Sequence, residues 1–186
     1  MNKKLAKEFL FDLIDIFEKF NIKYAVFAGV FLGAIREKDF IQWDNDIDIA
    51  VFEQFWNNYE KMDKIINELS KKNMFIINLW NLISITIRKE KILANISYIR
   101  KDEKSYYKYN NQGKNIYPKE CFDILEKRKF LGREIWFPSN PELFFTSVYG
   151  KDWKIPKNTK QVFHSNSNYK RNRRIITRTV FTYNEK

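Results

Sequence analysis

Hydrophobic residues recur along the first half of the chain with two different periods, which predict helices and strands in alternation. Apolar residues spaced three and four apart predict amphipathic helices over 4–20 and 54–72. Short apolar runs at 24–28 and 46–52 predict buried strands. Further extended segments are predicted at 74–79, 82–88 and 92–99. This order predicts an α/β fold, with helices packed on a mixed, partly antiparallel sheet.

The second half of the chain is more polar. Residues 101–118 are predicted to form a long loop, whereas 126–131 and 134–137 predict a hairpin. Residues 141–149 predict a helix. Residues 158–186 are rich in Lys, Arg, Asn and Ser, and we expect a loosely attached basic tail, or one ordered on binding. The chain is therefore predicted to be one domain, 1–157, followed by this tail.

The formal net charge of +11 would suit a polyanionic partner such as nucleic acid. However, the 186 residues include 25 Lys, 19 Asn and 23 Ile but only 6 Ala, a bias typical of gene composition rather than of a selected surface. The charge therefore allows a nucleic-acid partner without favouring one. A hydrophobic share of 44% excludes a disordered chain.

Cysteine and histidine are scarce, which bears on whether the protein could contain disulfides or bind zinc. Cys121 is the only cysteine and His164 the only histidine, so neither an internal disulfide nor a zinc cluster is expected. Charged residues interrupt every apolar run, so the sequence predicts no signal peptide and no transmembrane segment. We expect a soluble, cytoplasmic protein.

A row of carboxylates is the most informative feature of the chain. Side chains alternate along a strand, so Asp44, Asp46 and Asp48 are predicted to share one face while Ile47 and Ile49 enter the core. Neighbouring members of the row would be about 6–7 Å apart. Carboxylates this close repel each other, and a bound cation relieves the repulsion. Because all the ligands are oxygen, the sequence favours Mg²⁺ or Mn²⁺.

A glycine-containing turn precedes this row. Gly29 and Gly33 lie where a predicted strand turns into a helix, and such a turn offers backbone N–H groups to a phosphate. Arg36 follows on the same helix and adds a permanent positive charge. Together with the carboxylate row, the turn predicts a nucleotide and metal site.

The segment that joins the turn to the carboxylates resembles a known family signature. Residues 28–49 read AGVFLGAIREKDFIQWDNDIDI, which resembles the signature of the LicD family. That family includes bacterial phosphocholine transferases and the fukutin-related proteins, within the nucleotidyltransferase-fold superfamily. A second resemblance lies in FLGREIWFP at 130–138 and YGKDW at 149–153. The two matches bracket about residues 24–156, most of the chain.

The resemblance implies a fold and a set of site residues. The fold would be a mixed sheet of the nucleotidyltransferase type, flanked by helices. Asp46 and Asp48 would bind the metal, and Asp44 would be an auxiliary catalytic carboxylate. The residues that bind the nucleotide and its phosphates would be Gly29, Gly33, Arg36 and Asn95.

One family position is occupied by a different residue. A third carboxylate is expected on a later strand, and its best counterpart here is Asn95. Asparagine can offer a neutral oxygen but cannot act as a base. Three alternatives stay open: Asp44 is the base, the third carboxylate lies elsewhere, or the activity is impaired.

The implied activity is metal-dependent transfer of a substituted phosphate group, such as phosphocholine, from a CDP-type donor to a hydroxyl of a sugar or glycan. A second alternative is transfer of NMP from an NTP to a small molecule, protein or RNA. A third is a catalytically degenerate nucleotide-binding module.

Overall fold

The helices and strands of the first half alternate as the periodicity predicts. The computed structural model describes residues 1–80, 83–110 and 113–156. The α-helices in these ranges are α1 (Lys3–Lys19), α2 (Ala28–Arg36), α3 (Tyr59–Lys71) and α4 (Pro141–Tyr149). The strands of the main sheet are β1 (Tyr24–Val26), β2 (Asp46–Val51), β3 (Phe75–Trp80), β4 (Ser84–Lys89) and β5 (Ile92–Tyr98). The remaining strands are β6 (Arg100–Lys101), β7 (Ser105–Asn110), β8 (Gly113–Pro118), β9 (Leu125–Phe130) and β10 (Arg133–Pro138).

The main sheet has five strands in the order β1-β2-β5-β4-β3. Strands β2 and β5 pair in parallel, and the other neighbours pair antiparallel. This confirms the predicted mixed sheet. The parallel register sets Asp48 opposite Asn95, at the centre of the sheet.

The two faces of this sheet differ in chemistry, because residues alternate along each central strand. One face is apolar and buried, and Lys89 on this face pairs with Glu8 and Asp12 of α1 at 2.6 and 2.7 Å. These ion pairs place α1 on the apolar face. Buried side chains of this face are Ile47, Ile49, Ile85, Ile87, Ala94 and Ile96. The opposite face carries the carboxylates and several neutral polar side chains.

Residues 101–118 were predicted to be a loop, and that prediction was wrong. Strands β6, β7 and β8 form a separate three-stranded antiparallel sheet within this stretch. Tyr106 and Tyr117 are opposite each other in the pairing, and both are buried with their rings against Phe122. Ring burial and backbone pairing outweigh the polar composition of the segment.

The C-terminal elements hold α2 in place. The β9–β10 hairpin and α4 form where the sequence predicts them, which confirms both predictions. Phe31 of α2 contacts the rings of Phe137, Phe144 and Phe145 at centroid distances of 5.2, 5.4 and 4.7 Å. The basic tail at 158–186, with His164, lies outside the described residues, so the predicted domain boundary stays a prediction.

A helix that crosses a membrane needs about 20 predominantly apolar residues. Among the described residues, no helix is long and apolar enough to span a bilayer.

Candidate active site

The carboxylate row lies where β2 begins. Asp46 and Asp48 project from the polar face of the sheet, whereas Ile47 and Ile49 are fully buried on the other face. Asp44 precedes the strand, and its Oδ1 accepts a hydrogen bond from the backbone N–H of Asn45 at 3.0 Å. The Asp44 carboxyl is close enough to Asp46 and Asp48 for both to act on its ionisation. The structure therefore brings the three predicted carboxylates together.

Crowding and burial raise the pKa values in this row. The pKa of Asp44 rises to about 7, chiefly because the group is desolvated and also because of its contact with Asp46. The pKa of Asp48 rises to about 6, again chiefly through burial, and Lys108 opposes this rise by its positive charge. Both shifts therefore come chiefly from burial, and the like charges within the row add to them.

Asn95 reaches the carboxylate row from the neighbouring strand. Its Nδ2 donates a hydrogen bond to Oδ2 of Asp46 at 2.8 Å, and its Oδ1 accepts one from Thr86 Oγ1 at 3.3 Å. Alternation along 92–99 predicts the face of Asn95 but not its register with β2. The structure supplies the register, which sets Asn95 opposite Asp48, and the Asn95 side chain reaches along β2 to Asp46. The side chain next to Asp46 is therefore a neutral donor, and its correspondence to a third carboxylate stays a prediction.

Gly29 allows the carboxylate row to approach the start of α2. A Cβ atom at Gly29 would lie only 2.1 Å from Oδ2 of Asp44. Helix α2 starts directly after β1, and Phe27 at its N-cap has no side chain that could cap it. Because the first N–H groups of a helix have no partner within the helix, they attract anions. The start of α2 is therefore adjacent to the carboxylates and suits a phosphate group.

Gly33 meets a packing requirement. A Cβ atom there would lie 2.4 Å from the backbone carbonyl oxygen of Asp39 and 3.2 Å from the backbone nitrogen of Ile41. The segment at 39–41 thus passes directly over the helix at this glycine. A role for Gly33 in phosphate binding stays a prediction.

Arg36 links α2 to the segment after α4. Its Nη1 donates to the carbonyl oxygen of Trp153 at 3.2 Å, and its Nη2 pairs with Glu37 at 2.7 Å. The side chain is 12% exposed, and its Nε is buried without a hydrogen-bond partner among the described residues. The guanidinium is thus fixed in position while one donor stays unused. Its predicted phosphate contact stays a prediction.

Lys108 is a site residue that the sequence reasoning missed. Its Nζ lies 3.5 Å from Ser97 Oγ and 4.7 Å from the centroid of the Phe27 ring. Burial lowers the pKa of Lys108, while Asp48 and Asp46 act in the opposite direction. The residue was missed because 101–118 was interpreted as a loop. The period-two pattern of tyrosines around Lys108 was the available signal.

Tyr149, at the end of α4, is close enough to the carboxylates for their charges to act on it. Burial raises its pKa above the usual range, and the negative charges of Asp48, Asp44 and Asp46 raise it further. Tyr149 belongs to the YGKDW segment that carries the second family resemblance. The C-terminal motif therefore closes one side of the site.

The residues present fit a divalent cation. Among the described residues, no group of three or more His, Cys, Asp or Glu side chains is arranged to hold a metal. Mg²⁺, however, is usually bound by one or two carboxylates together with substrate phosphates. Asp46 and Asp48 offer such a pair of oxygen ligands, because both project from the polar face of β2.

Comparison with known proteins agrees with this fold. The solution structure of the antibiotic-resistance factor ANT(2″)-Ia superposes with a TM-score of 0.54 at 11% identity, covering 87% of this chain and 80% of that chain. The mixed sheet with carboxylates at the start of a central strand is a nucleotidyltransferase-type fold. The family described as LicD/FKTN/FKRP, nucleotidyltransferase domain, matches residues 21–140. The chain belongs to this family.

Two curated relatives match parts of the chain. A Rickettsia prowazekii protein described as uncharacterized is 24% identical over 137 residues, which cover 70% of this chain and 48% of that protein. The lipopolysaccharide cholinephosphotransferase LicD of Haemophilus influenzae is 43% identical over 42 residues, which cover 20% of this chain and 16% of that enzyme. The chain thus spans about half of the first relative's length and a much smaller part of the second's.

Proposed function

We propose that this chain is a metal-dependent transferase that moves a substituted phosphate group from a CDP-type donor to a hydroxyl of a sugar or glycan. The observation that carries the proposal is the cluster of Asp44, Asp46 and Asp48, held together beside the uncapped start of α2. Membership of the LicD/FKTN/FKRP family supports phosphate-group transfer. We propose the cytoplasm as the location.

The carboxylates and the nearby basic side chains would have separate roles. Asp46 and Asp48 would hold Mg²⁺ or Mn²⁺, which when bound neutralises charge on the donor phosphates. The N–H groups at the start of α2 would bind the remaining phosphate oxygens, together with Arg36 and Lys108. Asp44 would orient and deprotonate the acceptor hydroxyl, because Asn95 cannot take a proton.

A screen of ligand-induced stabilisation tests the donor class. Purified protein is melted with CDP-choline, CDP-ribitol, CDP-glycerol, CTP, ATP or UTP, each with Mg²⁺, Mn²⁺ or EDTA. A ligand that binds the folded state raises Tm, and at equal ligand concentrations the rise is larger for the ligand with the lower Kd. We expect a CDP-linked compound to give the largest rise, and only with metal. A larger rise with CTP, ATP or UTP would favour transfer of NMP instead.

The hydrogen bond between Asn95 and Asp46 favours a second candidate, a nucleotide-binding module without catalysis. Here an amide lies where the family resemblance predicts a third carboxylate, and it binds one oxygen of a proposed metal ligand. Such a module would gain stability from nucleotide and metal but would release no product. Assaying product in the same samples that show a rise in Tm separates the two candidates.

A further inference from the structure

A polar cleft of about 220 Å³ opens on the polar face of the main sheet, beside the carboxylate row. Its floor is a line of side chains that crosses four strands in register. In order across the sheet these are Asn78, Thr86, Asn95 and Asp48. Lys108 and Tyr109 of β7 line the cleft from the other side. The cleft therefore extends from Asp48 towards the β3 edge of the sheet.

A β-bulge in β3 puts Asn78 on this floor. The pairing of β3 with β4 shifts between Ile76 and Asn78, so that Ile76 is opposite Ile87 and Asn78 is opposite Thr86. Without the extra residue, Ile77 would lie opposite Thr86 and Asn78 would turn to the apolar face. Bulges commonly re-aim a side chain next to a functional site. The bulge thus gives the cleft an amide in place of an isoleucine.

The lining of the cleft is suited to a neutral ligand rich in hydroxyl groups. Besides the floor residues, Ser84 and Ser97 contribute hydroxyls and Trp80 contributes an aromatic surface. Hydroxyl and amide side chains both donate and accept hydrogen bonds, as the hydroxyls of a sugar do. Among the described lining residues the charges are those of Asp48 and Lys108, which have opposite signs. The cleft therefore has little net charge to attract an anion.

Asn78 also has an unused acceptor. Its Oδ1 is buried and has no hydrogen-bond partner among the described residues. A buried amide oxygen without a donor is unfavourable, and native structures rarely keep one without a reason. Because protein atoms cover this oxygen, a ligand hydroxyl in the cleft would become its donor only after the Asn78 amide turns towards the opening.

The position of the cleft separates it from the phosphate side of the site. Helix α2 follows β1, which flanks β2 on one side, whereas β5, β4 and β3 extend from β2 on the other side. Gly29 and the start of α2 therefore lie on the β1 side of the carboxylates, and the cleft lies on the β3 side. A phosphate at α2 and a hydroxyl in the cleft would meet at Asp46 and Asp48.

We infer that this cleft is the acceptor subsite and that it binds a neutral polyhydroxylated unit, a sugar or sugar alcohol, with Asn78 and Thr86 as specificity-determining residues. The inference rests on the proposed transferase function and assigns the acceptor to one surface of it. A volume of about 220 Å³ is below the range of about 300–1,000 Å³ for drug-sized ligands, which suits one sugar unit.

Saturation-transfer NMR on the full chain tests this assignment. The probes are N-acetylgalactosamine, galactose, ribitol and glycerol, each with and without CDP and Mg²⁺. The variants are Asn78→Ala, which removes the unpaired amide, and Thr86→Val, which removes a hydroxyl at nearly constant shape. The matched control is Asn67→Ala on the exposed side of α3. Binding of CDP-choline is measured separately by calorimetry.

We expect at least one neutral probe to bind the parent protein and the control. Each cleft variant should weaken that binding by about three- to tenfold, the effect of one lost hydrogen bond. Asn78→Ala should keep CDP-choline affinity, and Thr86→Val, which also removes the donor to Asn95, should lose less CDP-choline affinity than sugar affinity. The inference is overturned if no probe binds, or if both cleft variants bind the probe like the parent. It is also overturned if the variants weaken CDP-choline instead, since the cleft would then hold the nucleoside. Absence of CDP-choline binding to the parent protein, with the sugar effects intact, would contradict the proposed donor and not the cleft.

Discussion

Asn95 donates a hydrogen bond to Asp46 across the parallel pair β5–β2, with 2.8 Å between Nδ2 and Oδ2. This contact ties a proposed metal ligand to a neutral side chain, at a position where the family resemblance predicts a carboxylate. It both relieves charge in the row and binds one of the oxygens that a cation could use.

Asn95→Asp should reverse both effects. The substitution replaces a donor by a fourth carboxylate next to Asp46, so we expect the metal-free protein to lose about 1–3 kcal/mol of stability. With Mg²⁺ the same variant should gain more stability than the parent, because the added charge strengthens cation binding. Thermal melts in EDTA and in Mg²⁺ measure the two effects.

The control for this change is Asn67→Asp, at an exposed site on α3, which should shift stability by no more than about 0.5 kcal/mol in either buffer. If Asn95→Asp behaves like this control, the contact with Asp46 has no bearing on metal binding.

The metal-free protein should become less stable as the pH rises. The pKa values of Asp44 and Asp48 are raised to about 7 and about 6 in the folded state, whereas an unfolded aspartate has a pKa of about 3.9. Between these values the folded chain binds more protons than the unfolded chain, so stability decreases with rising pH. From about pH 5 to about pH 8 we expect a loss on the order of 1 kcal/mol or more, measured by urea unfolding in EDTA.

Asp44→Asn should flatten this pH dependence, because it removes one of the two raised carboxyl groups and reduces the repulsion on the other. The same change at the exposed Asp63 of α3 should leave the slope as it is in the parent protein. If stability depends on pH in Asp44→Asn as it does in the parent protein, the carboxylate row does not control stability between about pH 5 and about pH 8.

Gly29→Ala and Gly33→Ala should have different consequences. The new Cβ at Gly29 meets the end of the Asp44 side chain, which can move, so the fold should persist while donor affinity falls about tenfold or more. The new Cβ at Gly33 meets the backbone of Asp39, which cannot move freely, so stability should fall by about 1–3 kcal/mol. Thermal melts measure the loss of stability in each variant, and calorimetry measures the loss of donor affinity. Equal losses of stability and of affinity in the two variants would contradict the different roles assigned to Gly29 and Gly33.

Lys108→Met should weaken donor binding without unfolding the protein. Methionine keeps most of the buried length of the side chain but removes the cation near Asp48, and a charged hydrogen bond to phosphate is worth about 1.5–3 kcal/mol. We therefore expect affinity for CDP-choline to fall by at least about tenfold. Lys91→Met, at an exposed turn, is the matched control. An unchanged affinity in Lys108→Met would remove Lys108 from the phosphate site.

Local patterns in the sequence were sufficient for the elements that hold the carboxylates. Apolar runs and period-two alternation placed β2 and β5, and they put Asp46 and Asp48 on one face with Ile47 and Ile49 opposite. Such alternation depends only on the backbone geometry of a strand, so it survives without any knowledge of neighbouring strands.

Long-range pairing was what the sequence could not supply. The contact between Asn95 and Asp46 depends on the register of two strands that are distant in the chain. Lys108 reaches the site only because Tyr106 and Tyr117 pair and bury their rings, which the polar composition of 101–118 concealed. The bulge that turns Asn78 towards the cleft is likewise visible only once β3 is paired with β4.

Product analysis with a CDP-linked donor tests the proposed function most directly. Parent protein, Asp46→Asn, Asp48→Asn and the control Asp63→Asn are each incubated with CDP-choline or CTP, in Mg²⁺ or EDTA, with the sugar that binds best as acceptor. The proposed function predicts CMP and a phosphocholine-bearing sugar from the parent and control in Mg²⁺ alone, and neither product from Asp46→Asn or Asp48→Asn. Pyrophosphate from CTP, or CMP from CDP-choline at the parental rate in both variants, would contradict it.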